Sequence, residues 1–436
     1  MMTEKVPVSL NLNVRGMGLS ATLAIKERCR ALAAEGKNVI DFGLGQSPFP
    51  VPDSVVEALR VAAPEKDYLP VKGLPALRET IAEFHRKTDK VEATSDNVIV
   101  GPGSKELMFI LQVAFYGEIL LPSPCWVSYI PQSRIIGRNH HLIDSSLETQ
   151  WKITPESLRA MIADVNDDDR PRLLILNYPS NPTGLSYTER ELKELAEVSR
   201  KYRLIVLSDE IYGQLHHDGN HVSIGRFYPE GTIVSSGLSK WCGAGGWRLG
   251  TFVFPPDLKW LCDAMAAIAS ETYTSVCAPI QYAAIHAFRT DVVIERYLWH
   301  ARRILTALAD CSVATLRAAG VQVPKPEGGF YLFLDFSTLR DRLERRGIRT
   351  SAKLCQLLLD EAGVAMLPGS SFARPANELT ARLSYVDFDG ARALSASETI
   401  PLDESLPADF CEHNCDRVLD GMRRIADWAQ REAPSA

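Results

Sequence analysis

The sequence predicts an α/β fold: a large, mostly parallel sheet with helices on both faces, joined to a smaller α+β domain. Three observations carry this reading. Short apolar runs recur through the middle of the chain, continuous rather than alternating, as strands covered on both faces require. Amphipathic stretches of helical period lie between those runs. Beyond about residue 290 the pattern changes to one long Arg/Ala/Leu-rich helix followed by isolated strands.

The apolar runs are Asn97–Val100, Glu118–Leu121, Arg172–Leu176, Leu204–Leu207, Thr232–Ser235 and Thr251–Phe254. A helix over Glu106–Ala114 follows the first. Thr154 and Pro155 supply a cap and a first-turn proline, and then Leu158, Met161, Ile162 and Val165 recur at i, i+3, i+4 and i+7. Ser186 and Glu189 have the spacing of a capping box ahead of Leu192, Leu195 and Ala196. Further on, a helix over Val292–Ala319 leads to strands at Phe330–Leu334 and Arg382–Val386, with a helix around Ala352–Ala362 between them. Ala393–Asn414 contains two prolines, several acids and no Lys or Arg, and reads as a surface insertion.

Composition narrows the function. The chain has 436 residues, 46% of them apolar, enough to bury a large core. Asp and Glu number 54 against 48 Lys and Arg, a net charge of −6. That balance argues against nucleic acid as the main partner and gives no attraction to anionic membranes. The apolar runs are only a handful of residues long, against the ~18 a membrane span needs. The opening MMTEKVPVSLN lacks the basic and apolar regions of a signal peptide. Nine scattered cysteines, with no CxxC and only Cys411 and Cys415 close together, suit a reducing cytoplasm better than a disulfide scaffold.

In open α/β sheets ligands bind beyond the carboxyl ends of the strands. There the sequence places Gly101-Pro-Gly103-Ser104-Lys105, a strand-to-helix turn suited to a phosphate. It also places Asn181-Pro-Thr-Gly184, Ser208-Asp209-Glu210-Ile-Tyr212, and Ser236-Gly-Leu-Ser239-Lys240 with Arg248 eight residues later. Each has an ordinary reading by itself: a turn cap, a turn, a solvated lysine. The glycines lack both the third glycine of a dinucleotide fingerprint and the GK[ST] of a P-loop. Together they put an anion cradle, an acid, a phenol, an amide, a lysine and an arginine on one sheet edge. His216, His217 and His221 have no carboxylate at ligand spacing and read as surface turn residues, so no metal is expected. Cys242 reads as a packing residue.

With these residues the sequence resembles the class I/II pyridoxal-phosphate-dependent aminotransferases of fold type I, and among them the bacterial aspartate aminotransferase subgroup. The likeness runs from Ser20-Ala-Thr22 to Arg382-Leu-Ser-Tyr385. It rests on Tyr68-x4-Gly73-x3-Leu77-Arg78, Pro124-x-Trp126-Val-Ser-Tyr129, Asn181-Pro-Thr-Gly184, Ser208-Asp209-Glu210-Ile-Tyr212 and Ser239-Lys240-x7-Arg248-x-Gly250. The resemblance implies a seven-stranded sheet. It also implies an N-terminal arm and part of the small domain in 1–50, a large cofactor-binding domain in 51–300, and a small C-terminal domain in 301–436.

By the same resemblance, Lys240 holds pyridoxal 5'-phosphate as a Schiff base and moves the proton between substrate Cα and cofactor C4′. Asp209 pairs with the pyridine nitrogen. Asn181 and Tyr212 hydrogen-bond the ring's phenolic oxygen, and Trp126 stacks on the ring. The phosphate is held at Gly103, Ser104 and Lys105 and by Arg248. Gly237 stands where the family often has a serine, so Ser236 or Ser239 takes that place. Tyr68 reaches the phosphate of a neighbouring subunit, which implies a homodimer with shared active sites. Arg382 forks onto the substrate α-carboxylate, and the Gly45 backbone contacts the substrate.

The substrates implied are an L-amino acid and a 2-oxo acid such as 2-oxoglutarate. Lys105, with Ser20 and Thr22, favours aspartate or a similar acid. Gly18 and Gln46 depart from the pattern of some dicarboxylate users, which leaves aromatic and other amino acids open. A lyase on the same scaffold, of the C–S lyase or cyclopropane-forming type, is the alternative reaction.

Overall fold

The computed structural model describes residues 9–165, 170–289 and 291–431, so most of the stretch read for a signal peptide lies outside the described residues. Twelve strands are present among these residues: β1 Ile40–Asp41, β2 Val98–Gly101, β3 Glu118–Ser123, β4 His140–Asp144, β5 Arg172–Asn177, β6 Ile205–Asp209, β7 Thr232–Gly237, β8 Gly250–Val253, β9 Tyr331–Asp335, β10 Val364–Ala365, β11 Leu367–Pro368 and β12 Thr380–Ser384. Seven form one sheet in the order β2-β8-β7-β6-β5-β3-β4. Only β8 runs against its neighbours, β2 and β7, and the remaining pairs are parallel. The expected large, mostly parallel α/β sheet is therefore present, and all six apolar runs are strands in it.

Those runs are continuous because both faces are covered. Along β5, Leu173 and Ile175 enter one hydrophobic cluster while Leu174 and Leu176 enter another on the opposite face. The seventh strand, β4, was not legible in the sequence. It is an edge strand whose first residues, His140 to Leu142, are only half-buried, so nothing demanded an apolar run. The smaller sheet is antiparallel, in the order β11-β12-β9, and β1 pairs with β10 in parallel. Residues near the N-terminus thereby join the C-terminal part of the chain.

Two local expectations are corrected. The capping box before Leu192 is not Ser186 with Glu189 but Thr188 with Glu191. Ser186 is instead held two residues upstream, its amide donating to Glu327 Oε2 at 2.8 Å. The Ala393–Asn414 segment is not wholly a surface insertion. Its first residues belong to a helix, Gly390–Glu398, that packs on the long helix Val292–Ala318, with Ala393 and Leu394 buried. Its last residues form the short helix Phe410–Asn414 with Phe410 and Cys411 buried, and the connection between the two helices is largely exposed. No helix among the described residues is long and apolar enough to cross a membrane.

Candidate active site

Parallel strands point the same way, so their carboxyl ends collect on one edge of the large sheet. Strand register does the rest. Asn177 on β5 lies opposite Asp209 on β6, which lies opposite Ser235 on β7. On the other side Gly250 on β8 lies between Gly237 and Gly101. The chain leaves β7 into Leu238-Ser239-Lys240 and leaves β2 into Gly103, the cap of helix Ser104–Ala114.

These ends open onto a cavity of about 440 Å³. Gly45, Ser104, Lys105, Trp126, Asn181, Asp209, Tyr212, Ser239, Lys240, Arg248 and Arg382 all line it, as do Ser20 and Thr22. Gly103 adjoins it beside Arg248. Tyr68 is not among these residues; it stands on the surface of the single chain, 91% exposed. Ser236 is buried in β7, and Gly237 has no room for a side chain, because a Cβ there would lie 2.7 Å from the Leu249 carbonyl oxygen.

The Lys240 amine donates to the Gly45 carbonyl at 2.7 Å. Burial, reinforced by the nearby Arg382 charge, lowers its pKa to about 8, so a substantial share of the amine is neutral near physiological pH. Asp209 is almost fully buried. Its Oδ2 accepts the Tyr129 hydroxyl at 2.6 Å and its Oδ1 the Ser235 hydroxyl at 3.4 Å. Burial pushes its pKa up to about 6, although the Tyr129 hydrogen bond pulls the other way. A carboxylate in this state gains from a cationic partner, and a protonated ring nitrogen is one.

Tyr212 is buried, and its hydroxyl shares a 2.7 Å hydrogen bond with that of Tyr331. The Arg382 guanidinium lies 4.9 Å from the Tyr331 ring and 5.2 Å from the Phe372 ring, donates to the Gly43 carbonyl, and donates to Asn181 Oδ1 at 3.4 Å. Its Nε has no partner, although Arg382 is only 1% exposed. A buried guanidinium with an unused donor is a ready site for a carboxylate.

Where β2 turns into its helix, Gly103 has φ +94°, and a Cβ there would strike the Arg248 guanidinium. Arg248 itself is left-handed, φ +57°, and its donors reach only the Gly245 and Pro102 carbonyls, at 2.9 and 3.3 Å. The helix N-terminus, the bare glycine and an arginine without a carboxylate partner together fit a phosphate. Lys105 Nζ sits 5.1 Å from the Trp126 ring, its pKa lowered by burial and then by Arg248. The donor set fits pyridoxal 5'-phosphate at each of its ends.

Residues 37–387 match the family described as aminotransferase class I and II. The chain belongs to this family. Its members use pyridoxal 5'-phosphate, and the chain is a transaminase that moves an amino group between an amino acid and a 2-oxo acid. It is 35% identical over 402 residues to the aspartate aminotransferase of Geobacillus stearothermophilus, covering 90% of this chain and 97% of that one. It is 32% identical over 381 residues to the aspartate/prephenate aminotransferase of Thermus thermophilus, covering 86% and 94%. The solved aspartate aminotransferase of Thermus thermophilus with maleate superposes with a TM-score of 0.82 at 28% identity, covering 97% of this chain and 100% of that one. These aminotransferases of fold type I are the architecture the sequence resembled.

Three residues of this aminotransferase's cavity region escaped the sequence reading. Tyr129 lay within a quoted motif but had no assigned partner; it holds Asp209. Asn177, just beyond the run Arg172–Leu176, turns its amide onto the Asp209 carbonyl at 2.8 Å and accepts the Asn181 amide at 2.7 Å. Tyr331 sat in a run read as strand core. Because Arg382 lies opposite Phe333, Tyr331 is its diagonal neighbour on the same face, a relation set by register alone.

The histidines are corrected as well. His217 is buried, His216 is half-buried and the His221 side chain is only 6% exposed, so they are not surface turn residues. His221 Nε2 bonds Glu210 Oε2 at 2.7 Å, and His217 Nε2 bonds the Gly329 carbonyl at 3.2 Å. Among the described residues no group of three or more His, Cys, Asp or Glu side chains is arranged to hold a metal ion.

Proposed function

We propose that this transaminase takes L-aspartate or a similar acidic amino acid as donor and 2-oxoglutarate as acceptor, with Lys240, Asp209 and Arg382 as its working residues. The observation that carries this reading is their convergence: a partly neutral amine, a buried carboxylate and a buried guanidinium with a free donor line one cavity. Asp209, steadied by Tyr129, would hold a proton on the cofactor's ring nitrogen, and Asn181 and Tyr212 would hold its phenolic oxygen. Trp126 would cover the ring, and Gly103, Ser104, Lys105, Ser239 and Arg248 would hold the phosphate. When bound, pyridoxal 5'-phosphate supplies a ring that accepts the electron pair left at substrate Cα.

The chain's own side chains do the rest. Arg382 grips the α-carboxylate in a fork that a lysine cannot reproduce, and so fixes which bond at Cα is exposed. Lys240 Nζ, first the cofactor's anchor, takes the proton from Cα and returns it elsewhere, a task suited to an amine whose pKa is lowered to about 8. Lys105, Ser20 and Thr22 line the cavity where an acidic side chain would extend. The maleate in the Thermus structure, a four-carbon dicarboxylate, supports an acidic substrate.

The same reading extends to the assembly. The chain acts as a cytoplasmic homodimer in which the exposed Tyr68 of each subunit completes the partner's phosphate site. The division into 1–50, 51–300 and 301–436 belongs to this proposal. Borohydride reduction of the cofactor-loaded protein, followed by peptide mapping, is expected to fix the label on Lys240. Incubation with 2-oxoglutarate is expected to yield glutamate fastest from aspartate. Release of pyruvate or ammonia with no glutamate would replace the transaminase reading by the lyase.

A further inference from the structure

Glu210 follows Asp209 in the chain but does not line the cofactor cavity. Its side chain is 3% exposed, and its carboxylate collects four donors. Oε1 accepts the Ser208 and Ser223 hydroxyls, each at 2.6 Å, and the Tyr178 hydroxyl at 3.3 Å. Oε2 accepts His221 Nε2 at 2.7 Å. The Tyr178 hydroxyl in turn accepts the Ile224 amide at 2.8 Å, and the Tyr178 and His221 rings lie 5.4 Å apart. Ser208, Ser223 and Tyr178 are buried, and none of the four donor residues lines the cavity.

These donors come from three segments that meet behind the cavity. Tyr178 follows Asn177 at the end of β5, Ser208 precedes Asp209 on β6, and His221 and Ser223 lie on the stretch after Tyr212. Backbone bonds fasten the same places. The Asp209 carbonyl accepts the Asn177 side-chain amide at 2.8 Å and the Tyr178 backbone amide at 3.3 Å. The Gly213 amide donates to the Glu210 carbonyl at 2.8 Å, closing the turn that carries Tyr212. The His221 ring packs directly on that turn: a Cβ on Gly213 would lie 2.9 Å from it. A buried carboxylate costs desolvation that an apolar side chain of the same volume avoids. What it supplies instead is direction, because each hydrogen bond fixes where its donor stands.

We propose that Glu210 is a positioning residue for transamination: one carboxylate fixes the strand ends that carry Asn181 and Asp209–Tyr212 at the spacing a bound cofactor ring requires. This rests on the roles proposed above for Asp209, Asn181 and Tyr212. The reach of the side chain is what counts, since the donors converge on a carboxylate at one depth. Arg382 stands on β12 of the other sheet and has no bond to this cluster, so the grip on the substrate carboxylate is left in place.

The test compares Glu210→Gln, Glu210→Asp and Tyr178→Phe as holoenzymes. Kinetics with 2-oxoglutarate and the fastest amino acid donor are read beside a thermal melt and the visible circular dichroism of the bound cofactor. Gln keeps the reach and still accepts from both serines, whereas Asp keeps the charge and falls short by one methylene. The Asp variant is expected to lose at least ~10-fold in kcat and to alter the cofactor's circular dichroism, with KM for the donor nearly unchanged. The Gln variant should retain more kcat than the Asp variant. Tyr178→Phe, which cuts only the link to β5, should lower kcat by ~2- to 10-fold. A lower melting temperature with kcat and circular dichroism unchanged would reduce Glu210 to a structural residue. An Asp variant more active than the Gln variant would overturn the role of reach. Where Glu210→Asp fails to fold, Tyr178→Phe decides, and an unchanged kcat there overturns the proposal. Asp209→Asn separates the two readings. If it stays active, the assignment of Asp209 fails; if it is inactive while the other three variants keep full kcat, only the role of Glu210 fails.

Discussion

The hydroxyls of Tyr212 and Tyr331 meet at 2.7 Å, joining the turn after β6 of the large sheet to β9 of the small antiparallel sheet. The Tyr331 ring also faces Arg382, and a Cβ on Gly45 would run into the Tyr331 hydroxyl. One phenol therefore touches three groups proposed to act on cofactor or substrate.

Tyr331→Phe keeps the ring against Arg382 and removes only the hydroxyl. A neutral hydrogen bond of ~0.5–1.5 kcal/mol predicts a fall in kcat/KM of about 2- to 13-fold with the fold intact. Steady-state kinetics and a thermal melt check this; an unchanged kcat/KM would leave the phenol pair without a role.

Asp209 opposes stability in the cofactor-free protein. Its pKa is raised to about 6 in the fold, against an ordinary value of ~4. Between these values the folded chain holds the extra proton. Its stability contribution is therefore present at low pH and is lost as pH rises through about 6. Cofactor-free Asp209→Asn is expected to gain ~1–3 kcal/mol at pH 7 and to lose part of its stability slope between pH 4 and 6. The same variant should lose transaminase activity by at least ~10²-fold. Denaturant unfolding across pH, paired with activity, reads both.

Cofactor capture should titrate with Lys240. Only the neutral amine attacks an aldehyde, so the rate at which cofactor-free protein takes up pyridoxal 5'-phosphate should rise with pH and level off above about 8. Rapid-mixing absorbance measurements follow it. A rise continuing to the ordinary lysine range, ~10, would show that burial and Arg382 do not lower this amine.

Arg382→Lys retains the charge but not the fork. With the α-carboxylate losing its bidentate partner in a buried site, kcat/KM for amino acids should fall by ~10²–10³-fold, carried largely by KM. A change confined to kcat would mean that Arg382 does not bind the substrate carboxylate.

The sequence by itself determined the strand–helix alternation and the chemistry of the strand ends, because both are local. A strand buried on both faces needs an unbroken apolar run, as β5 shows, and a left-handed turn with no room for a side chain needs glycine, as Gly103 shows. Lys240, Asp209, Asn181, Tyr212 and Arg248 were legible because each follows such a strand. The tertiary structure alone decided what depends on register and on contacts between distant segments. β4 escaped because an edge strand need not be apolar, and the Ser186 amide is taken by Glu327, distant in sequence. Tyr129 reaches Asp209 across 80 positions and Tyr331 reaches Tyr212 across 119. His221 packs its side chain against Glu210 rather than standing exposed in a turn. Such partners share no spacing in the chain, since only packing brings them within a hydrogen bond's length.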